Sequence, residues 1–200
     1  MNTIHHVLSD LLPGTIAISP GAPRDYRALE RFHYLPLRPA TWAGVWNARY
    51  LPHADPFRVG SSEQSGPAGV GVDRARGRII AVAVLSFPSA VQRVRHRVFQ
   101  LDSLSFGQKL RWANANLRTI SRVIVHPQFR SIGLAHVLID RVLSDCPTRY
   151  VEASARMGRA HPMFERAGMH RVDPEDPIAP VYYWFDRQTT PRNDSSRVPA

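Results

Sequence analysis

Val123-Ile124-Val125-His126-Pro127-Gln128-Phe129-Arg130-Ser131-Ile132-Gly133-Leu134-Ala135 reads as a strand, a turn and the opening of a helix. The β-branched run stops at Pro127, which has no N–H to continue a ladder. Leu134, Val137, Leu138 and Val142 then recur at i, i+3, i+4 and i+8, the apolar stripe of a helix from Leu134 to Leu143. Between the two lies a basic turn ending in Gly133. At such a junction the N–H groups of the turn and the positive end of the helix dipole point outward together. That makes a cradle for a pyrophosphate. Gly133 lets a phosphate approach the backbone with no Cβ in the way, and Ala135 keeps the next turn small. Taken alone, a strand–loop–helix with a chance glycine is commoner than a phosphate site.

Working outward, the flanking segments alternate between β and α patterns. Toward the C-terminus, Tyr150 to Ala155 reads as a strand, Pro162 to Ala167 as a short helix ending at Gly168, and Val181 to Phe185 as a closing strand. Toward the N-terminus, Arg118 to Val125 is a strong strand and Phe106 to Asn116 a helix. Val91 to Phe99 alternates Arg93, Arg95 and Arg97 with Val94, His96 and Val98, which as a strand sets three guanidiniums on one face. Ile79 to Leu85 is a continuous apolar run, as in a strand covered on both sides. It reads as one arm, Arg78 to Phe87, of a hairpin whose other arm is Gly69 to Val72. Thr41 to Leu51 is a further strand, Pro52 to Pro67 a loop, Arg24 to Phe32 a helix and Thr15 to Ser19 a short strand. The expected organisation is an N-terminal extension over 1–14, one domain over 15–187 and a disordered, Pro/Ser-rich tail over 188–200.

Composition narrows the class. At 200 residues the chain can bury a sizeable core without metal or disulfide staples. No run of eighteen apolar residues is present, so no membrane span is expected. The single cysteine, Cys146, cannot form an internal disulfide, which fits a reducing cytoplasm. No Cys/His grouping has metal-ligand spacing. The formal net charge is +10, carried mostly by arginine. From Asp73 to Ser131 there are eleven basic residues against Asp73 and Asp102. Such a bias suits an anionic partner, whether a nucleotide cofactor, a nucleic acid or an acidic protein, although an arginine-rich proteome gives the same excess.

The full string from Val123 to Ala135 resembles motif A of the GNAT superfamily of acyl-CoA-dependent N-acyltransferases: a hydrophobic strand, V-x-P, an aromatic, then R-x-x-G-x-A opening a helix. His161-Pro162-Met163-Phe164-Glu165-Arg166-Ala167-Gly168-Met169 is similar to the superfamily's later helix. The resemblance is close from Arg118 to Val172 and elsewhere holds only in element order. It implies an α/β (α+β) fold with a mixed, mostly antiparallel sheet, helices on both faces and a splayed strand pair. It implies that acetyl-CoA, or another acyl-CoA, is the cofactor. The pantetheine arm would then pair with the backbone of Val123 and Val125, and Arg130, Ser131, Ile132, Gly133, Leu134 and Ala135 would hold the pyrophosphate. An amine, on a small molecule or a macromolecule, would attack the thioester directly.

The chain departs from the pattern at Phe164, where many members carry a tyrosine that protonates the leaving thiolate. Glu152, with Ser154 on the same strand face, is the candidate base. His126 is a weaker candidate, and His161 reads as a cap of the later helix. Phe32-His33-Tyr34 with Arg38-Pro39-Ala40-Thr41 also resembles GNAT-like domains related to the Mom family of phage DNA-modifying enzymes. That resemblance implies an acceptor-side role for His33 and Tyr34 and an alternative function, nucleic-acid base modification. In that alternative Arg93, Arg95, Arg97, Arg111 and Arg118 would form a basic stripe leading to the cleft. A non-catalytic acyl-CoA or nucleic-acid binder is a further alternative, kept open by Phe164.

Overall fold

The computed structural model describes residues 14–34, 38–52 and 77–189. The segments at 1–13 and 190–200 lie outside the described residues, and so does the Gly69–Val72 arm of the expected hairpin. Among the described residues, seven strands form one sheet: β1 (Gly14–Pro20), β2 (Gly44–Pro52), β3 (Arg78–Ser86), β4 (Leu117–Val125), β5 (Tyr150–Ala155), β6 (His170–Val172) and β7 (Val181–Asp186). Their order is β1-β2-β3-β4-β5-β7-β6. Every pairing is antiparallel except β4 with β5. Within the described residues, β3 pairs with β2 and β4. Among the described residues, five helices accompany the sheet: α1 (Pro23–Arg27), α2 (Arg93–Val98), α3 (Phe106–Asn116), α4 (Leu134–Asp145) and α5 (Met163–Arg166). None of the described helices is long and apolar enough to cross a membrane.

The two sheet faces bury different sets. On one, Leu134, Leu138, Ile139, Val142 and Leu143 of α4 pack with Ala81, Ala83, Val151 and Ala153. On the other, Tyr26 and Leu29 pack with Val45, Val82, Val84 and Ile124. The central strand β3 is buried on both sides, which explains its unbroken apolar run.

Two expectations need correction. The segment 24–32 is not one helix: α1 stops at Arg27 and a 3-10 turn follows at Glu30–Phe32, which brings the Phe32 ring to 4.8 Å from His126 on the sheet. More consequentially, 91–99 is not a strand. It holds α2, started by Gln92, whose side chain accepts from the Val94 N–H at 3.3 Å. Arg93, Arg95 and Arg97 therefore do not share a face. Arg95 is buried at 1% exposure, and Arg97 is exposed and paired with Glu175 at 2.7 Å.

Candidate functional site

β4 and β5 are paired over only four residues, from Leu117↔Tyr150 to Ile120↔Ala153. Beyond that point β4 continues to Val125 along β3, while β5 continues along β7. The strands part, leaving a fork. The register shift between Val84 and Leu85 places an extra residue, Ser121, at the point of parting. Its hydroxyl lies 2.7 Å from Ser86 Oγ, fixing the bulge.

Backbone direction on β4 follows from one bond. The His126 N–H donates to the Ile80 carbonyl at 2.8 Å. In an antiparallel ladder alternate residues bond to the same neighbour, so Ile124 and Arg122 also face β3. Val123 and Val125 turn their backbone groups the other way, into the fork, where β5 has left. No described strand pairs with β4 on this side at the two residues expected to receive an extended ligand, and Arg130 Nε donates to the Val125 carbonyl there at 3.3 Å.

That edge runs into the turn before α4. A 3-10 turn at Pro127–Phe129 is followed by Ser131 with φ +69° and Gly133 with φ +84°. Gly133 is the N-cap of α4, and no side chain caps the helix there. A Cβ built on Gly133 would meet nothing within 4 Å, so the turn opens onto free space. The space is a cavity of about 380 Å³ lined by Val125, Arg130, Gly133 and His136 on one side and by Met163 and Arg166 of α5 on the other. His136 Nδ1 is buried without a hydrogen-bond partner in its wall. Uncapped helix N–H groups, two arginines and a left-handed glycine make the cavity fit a phosphorylated ligand. Arg130, Ser131, Gly133 and Ala135 line it, whereas the Leu134 side chain is buried in the core and Ile132 packs against that core.

The candidate bases are differently placed. Glu152 is 3% exposed. It accepts from Arg95 Nη2 at 2.6 Å and Nε at 2.8 Å, from Thr119 Oγ1 at 2.7 Å and from the Tyr182 hydroxyl at 2.8 Å. A carboxylate held by four donors is an anchor; it has no lone pair turned toward an amine. Burial and the neighbouring Glu152 charge push the Tyr182 phenol well above its ordinary range, so it stays protonated. Ser154 shares Glu152's face but is exposed, and its hydroxyl accepts from Gln92 Nε2 at 3.2 Å. His126 is buried; burial first, then Arg78, Arg31 and Arg130, lower its pKa. Its Nε2 lies 2.6 Å from Arg78 Nη2, so it is enclosed rather than facing the fork. Phe164 is buried against Tyr183, ring centroids 5.1 Å apart, and Tyr183 donates to the Gly158 carbonyl at 3.1 Å. His161 lines the cavity. His33 and Tyr34 follow the turn whose Phe32 touches His126; their rings lie 4.8 Å apart and Tyr34 is 59% exposed.

The five arginines expected to form a stripe do not act alike. Arg95 is in the core, Arg97 is paired, and Arg118 donates to the Asn114 and Leu117 carbonyls with its guanidinium 4.5 Å over the Phe87 ring. Arg93 and Arg111 are exposed on α2 and α3. The residues missed by reading the sequence are Thr119, Tyr182 and His136, while Arg95 is picked out by that reading but placed on an exposed strand face. For Arg95 a signal existed: Gln92, Arg95 and Phe99 are spaced i, i+3, i+7, a helical stripe hidden under the arginine alternation.

Comparison with known proteins is consistent with this geometry. Residues 110–177 match the family described as acetyltransferase (GNAT) domain. No curated protein sequence matches the chain. Among solved structures, NAA60 of Arabidopsis thaliana in complex with acetyl-CoA is 19% identical, with 86% of this chain and 98% of that chain covered at a TM-score of 0.49. Ard1 from Thermoplasma volcanium is 14% identical, with 86% and 97% covered at a TM-score of 0.47. Nourseothricin acetyltransferase is 11% identical, with 86% and 98% covered at a TM-score of 0.48. The segment matched by that family, 110–177, contains the parted strands, the left-handed turn and the later helix together.

Proposed function

We propose that the chain is an acetyl-CoA-dependent N-acetyltransferase. The observation that carries this reading is the continuity of one surface: the β4 edge at Val123 and Val125, with no described strand beside it on that side, leads without interruption into the uncapped, left-handed start of α4 at Gly133. An extended arm ending in a pyrophosphate needs those two features in that order. The Val123 and Val125 backbone would orient the arm, and the turn from Arg130 to Ala135 would hold the phosphates. Acetyl-CoA brings an activated thioester; the chain positions it beside an amine and keeps the arm in one conformation. Because Glu152 is held by four donors, the amine's proton leaves by a route that does not use its carboxylate.

The test is titration of acetyl-CoA by calorimetry, with native mass spectrometry over a panel of acyl-CoAs. One-to-one binding to the wild type and its loss in a folded Gly133→Val variant are expected. A wild-type protein that binds no acyl-CoA overturns the reading. Incubation of the complex with amines, peptides and oligonucleotides then identifies the acceptor by mass.

A further inference from the structure

Residues 87–116 leave the sheet at the end of β3 and return at the start of β4 as α2 and α3. They are covalently part of the β1–β4 half of the sheet. Yet α2 docks on the other half. Gln92, Arg95 and Phe99, one helical stripe from cap to cap, lie along Ser154, Glu152 and Tyr150, the alternate residues of one face of β5. Gln92 donates to Ser154 at 3.2 Å, Arg95 makes its two bonds to Glu152, and the Phe99 ring sits 4.8 Å from Tyr150 and 5.7 Å from Trp184 of β7. Arg95 Nη1 also donates to the Ser89 carbonyl at 2.8 Å, fixing the segment that leads into α2. Arg118 over Phe87 closes the two ends of the segment on each other.

Among the described strands, the two halves of the sheet are joined by the four-residue β4–β5 ladder, on which Thr119 also reaches Glu152. β5 past Ala153 is held by β7 and by Gln92, not by β4. An unpaired strand edge such as that of β4 attracts another strand, and β5 is the strand at hand. We propose that residues 87–116 are a strap across the fork, and that Arg95, Glu152 and Gln92 are positioning residues that hold β5 away from β4 and keep the cosubstrate arm's slot open before the ligand arrives. This rests on the acetyl-CoA reading above. A slot held open in advance binds more tightly because the ordering of its walls is already done.

The test compares two ligands: acetyl-CoA, which carries the arm, and adenosine 3′,5′-bisphosphate, which carries phosphates but no arm. Arg95→Met combined with Glu152→Gln removes both charges of the buried pair, so no ion is left unpaired. Gln92→Ala removes the bond to Ser154 and the cap on the Val94 N–H, both at a partly exposed site, and leaves the core untouched. Calorimetry is expected to show acetyl-CoA affinity down about tenfold in the double variant and about threefold in Gln92→Ala, equivalent to about 1.4 and 0.7 kcal/mol. Bisphosphate affinity should stay within twofold of wild type in both. Thermal melts establish folding; if the double variant does not fold, Gln92→Ala decides alone. Unchanged acetyl-CoA affinity in the folded variants, or an equal loss for both ligands, overturns the strap. A wild type that binds neither ligand overturns the acetyl-CoA reading instead.

Discussion

Ser131 and Gly133 both hold their backbone in the left-handed region, at φ +69° and +84°, two residues apart in the turn that opens α4. Adjacent turns of this kind aim successive N–H groups at one point, a concavity that suits an anion. Glycine adopts that conformation freely, whereas serine does so at a cost of about 1–2 kcal/mol. The strain sits beside the cavity, where a ligand would recover it.

Gly133→Ala separates conformation from space. The added Cβ meets no protein atom within 4 Å, so packing is untouched. Stability should fall by about 1–2 kcal/mol from the positive φ alone, or roughly 2–8 °C in Tm for a chain of this size. The methyl group would stand where the phosphates approach, so acetyl-CoA affinity should fall more than tenfold. Melting curves and calorimetry on one preparation check both; an affinity equal to wild type places the phosphates elsewhere.

Phe164→Tyr tests the missing acid. Phe164 is 4% exposed and packed on Tyr183, whose hydroxyl is engaged with the Gly158 carbonyl and Glu165. A hydroxyl added there enters a packed site, at about 1–3 kcal/mol in stability if it finds no partner. Turnover, measured with whichever amine proves to be the acceptor, should not rise above wild type. A rise of tenfold or more would mean that the phenylalanine alone limits the reaction.

Much of the site was legible because its signals are local. The strand ending at Pro127, the glycine before the helix and the stripe of Leu134, Leu138 and Val142 lie within twenty residues, and each acts through backbone geometry. The fork could not be read this way. It depends on a bulge at Ser121 and on β5 choosing β7 over β4, which are long-range pairings. The strand assigned to 91–99 failed for a related reason. Alternating arginines mimic a period of two, but Arg95 is turned inward by Glu152, fifty-seven residues away. Local spacing cannot show that a guanidinium will be buried when its partner is that distant in sequence. Glu152 reads from the sequence as a candidate base; the partners that hold its carboxylate, Arg95, Thr119 and Tyr182, are all distant in sequence.

Removing half of the buried pair should be far more damaging than removing both. Arg95→Ala leaves the Glu152 carboxylate without its cation at 3% exposure. The expected loss is about 3–5 kcal/mol. The combination Arg95→Met with Glu152→Gln should lose less, and urea unfolding of the singles and the double gives the coupling. A double variant less stable than Arg95→Ala would contradict the pair as an isolated ion couple.

His126 predicts a pH dependence of stability. Burial, then Arg78, Arg31 and Arg130, hold its folded-state pKa below the ordinary 6.5. Between the two values the unfolded chain binds a proton that the folded chain refuses, so stability rises with pH in that window. It is fully present above pH 6.5 and is lost as pH falls toward the folded value. His96 is shifted in the same direction, by burial first and then Lys109 and Arg95, so the wild type alone does not isolate His126. Melts at neutral and mildly acidic pH should show a smaller acid loss in His126→Gln than in the wild type; equal losses assign the effect to other groups.

The arginine excess yields the last prediction. A nucleic-acid acceptor gripped by a stripe of Arg93, Arg95, Arg97, Arg111 and Arg118 would neutralise several phosphates at once. The structure buries Arg95, pairs Arg97 with Glu175 and turns Arg118 onto two carbonyls and the Phe87 ring. Arg93 and Arg111 are left exposed on separate helices. Counterion release scales with the number of phosphates met, with a slope of about −0.9 per phosphate on a log–log plot. Two contacts correspond to a loss of affinity of about tenfold between 50 and 200 mM salt, and four or more to over about a hundredfold. Duplex DNA titrated at both salt concentrations should show the smaller loss, and Arg93→Gln with Arg111→Gln should abolish most of it. A hundredfold loss that survives that double substitution would mean that other arginines form the interface. Mass analysis of nucleosides after incubation with acetyl-CoA would then decide whether the DNA is the acceptor: an acetylated base restores the nucleic-acid function, while acetylation confined to small amines or peptides assigns the surface charge to composition alone.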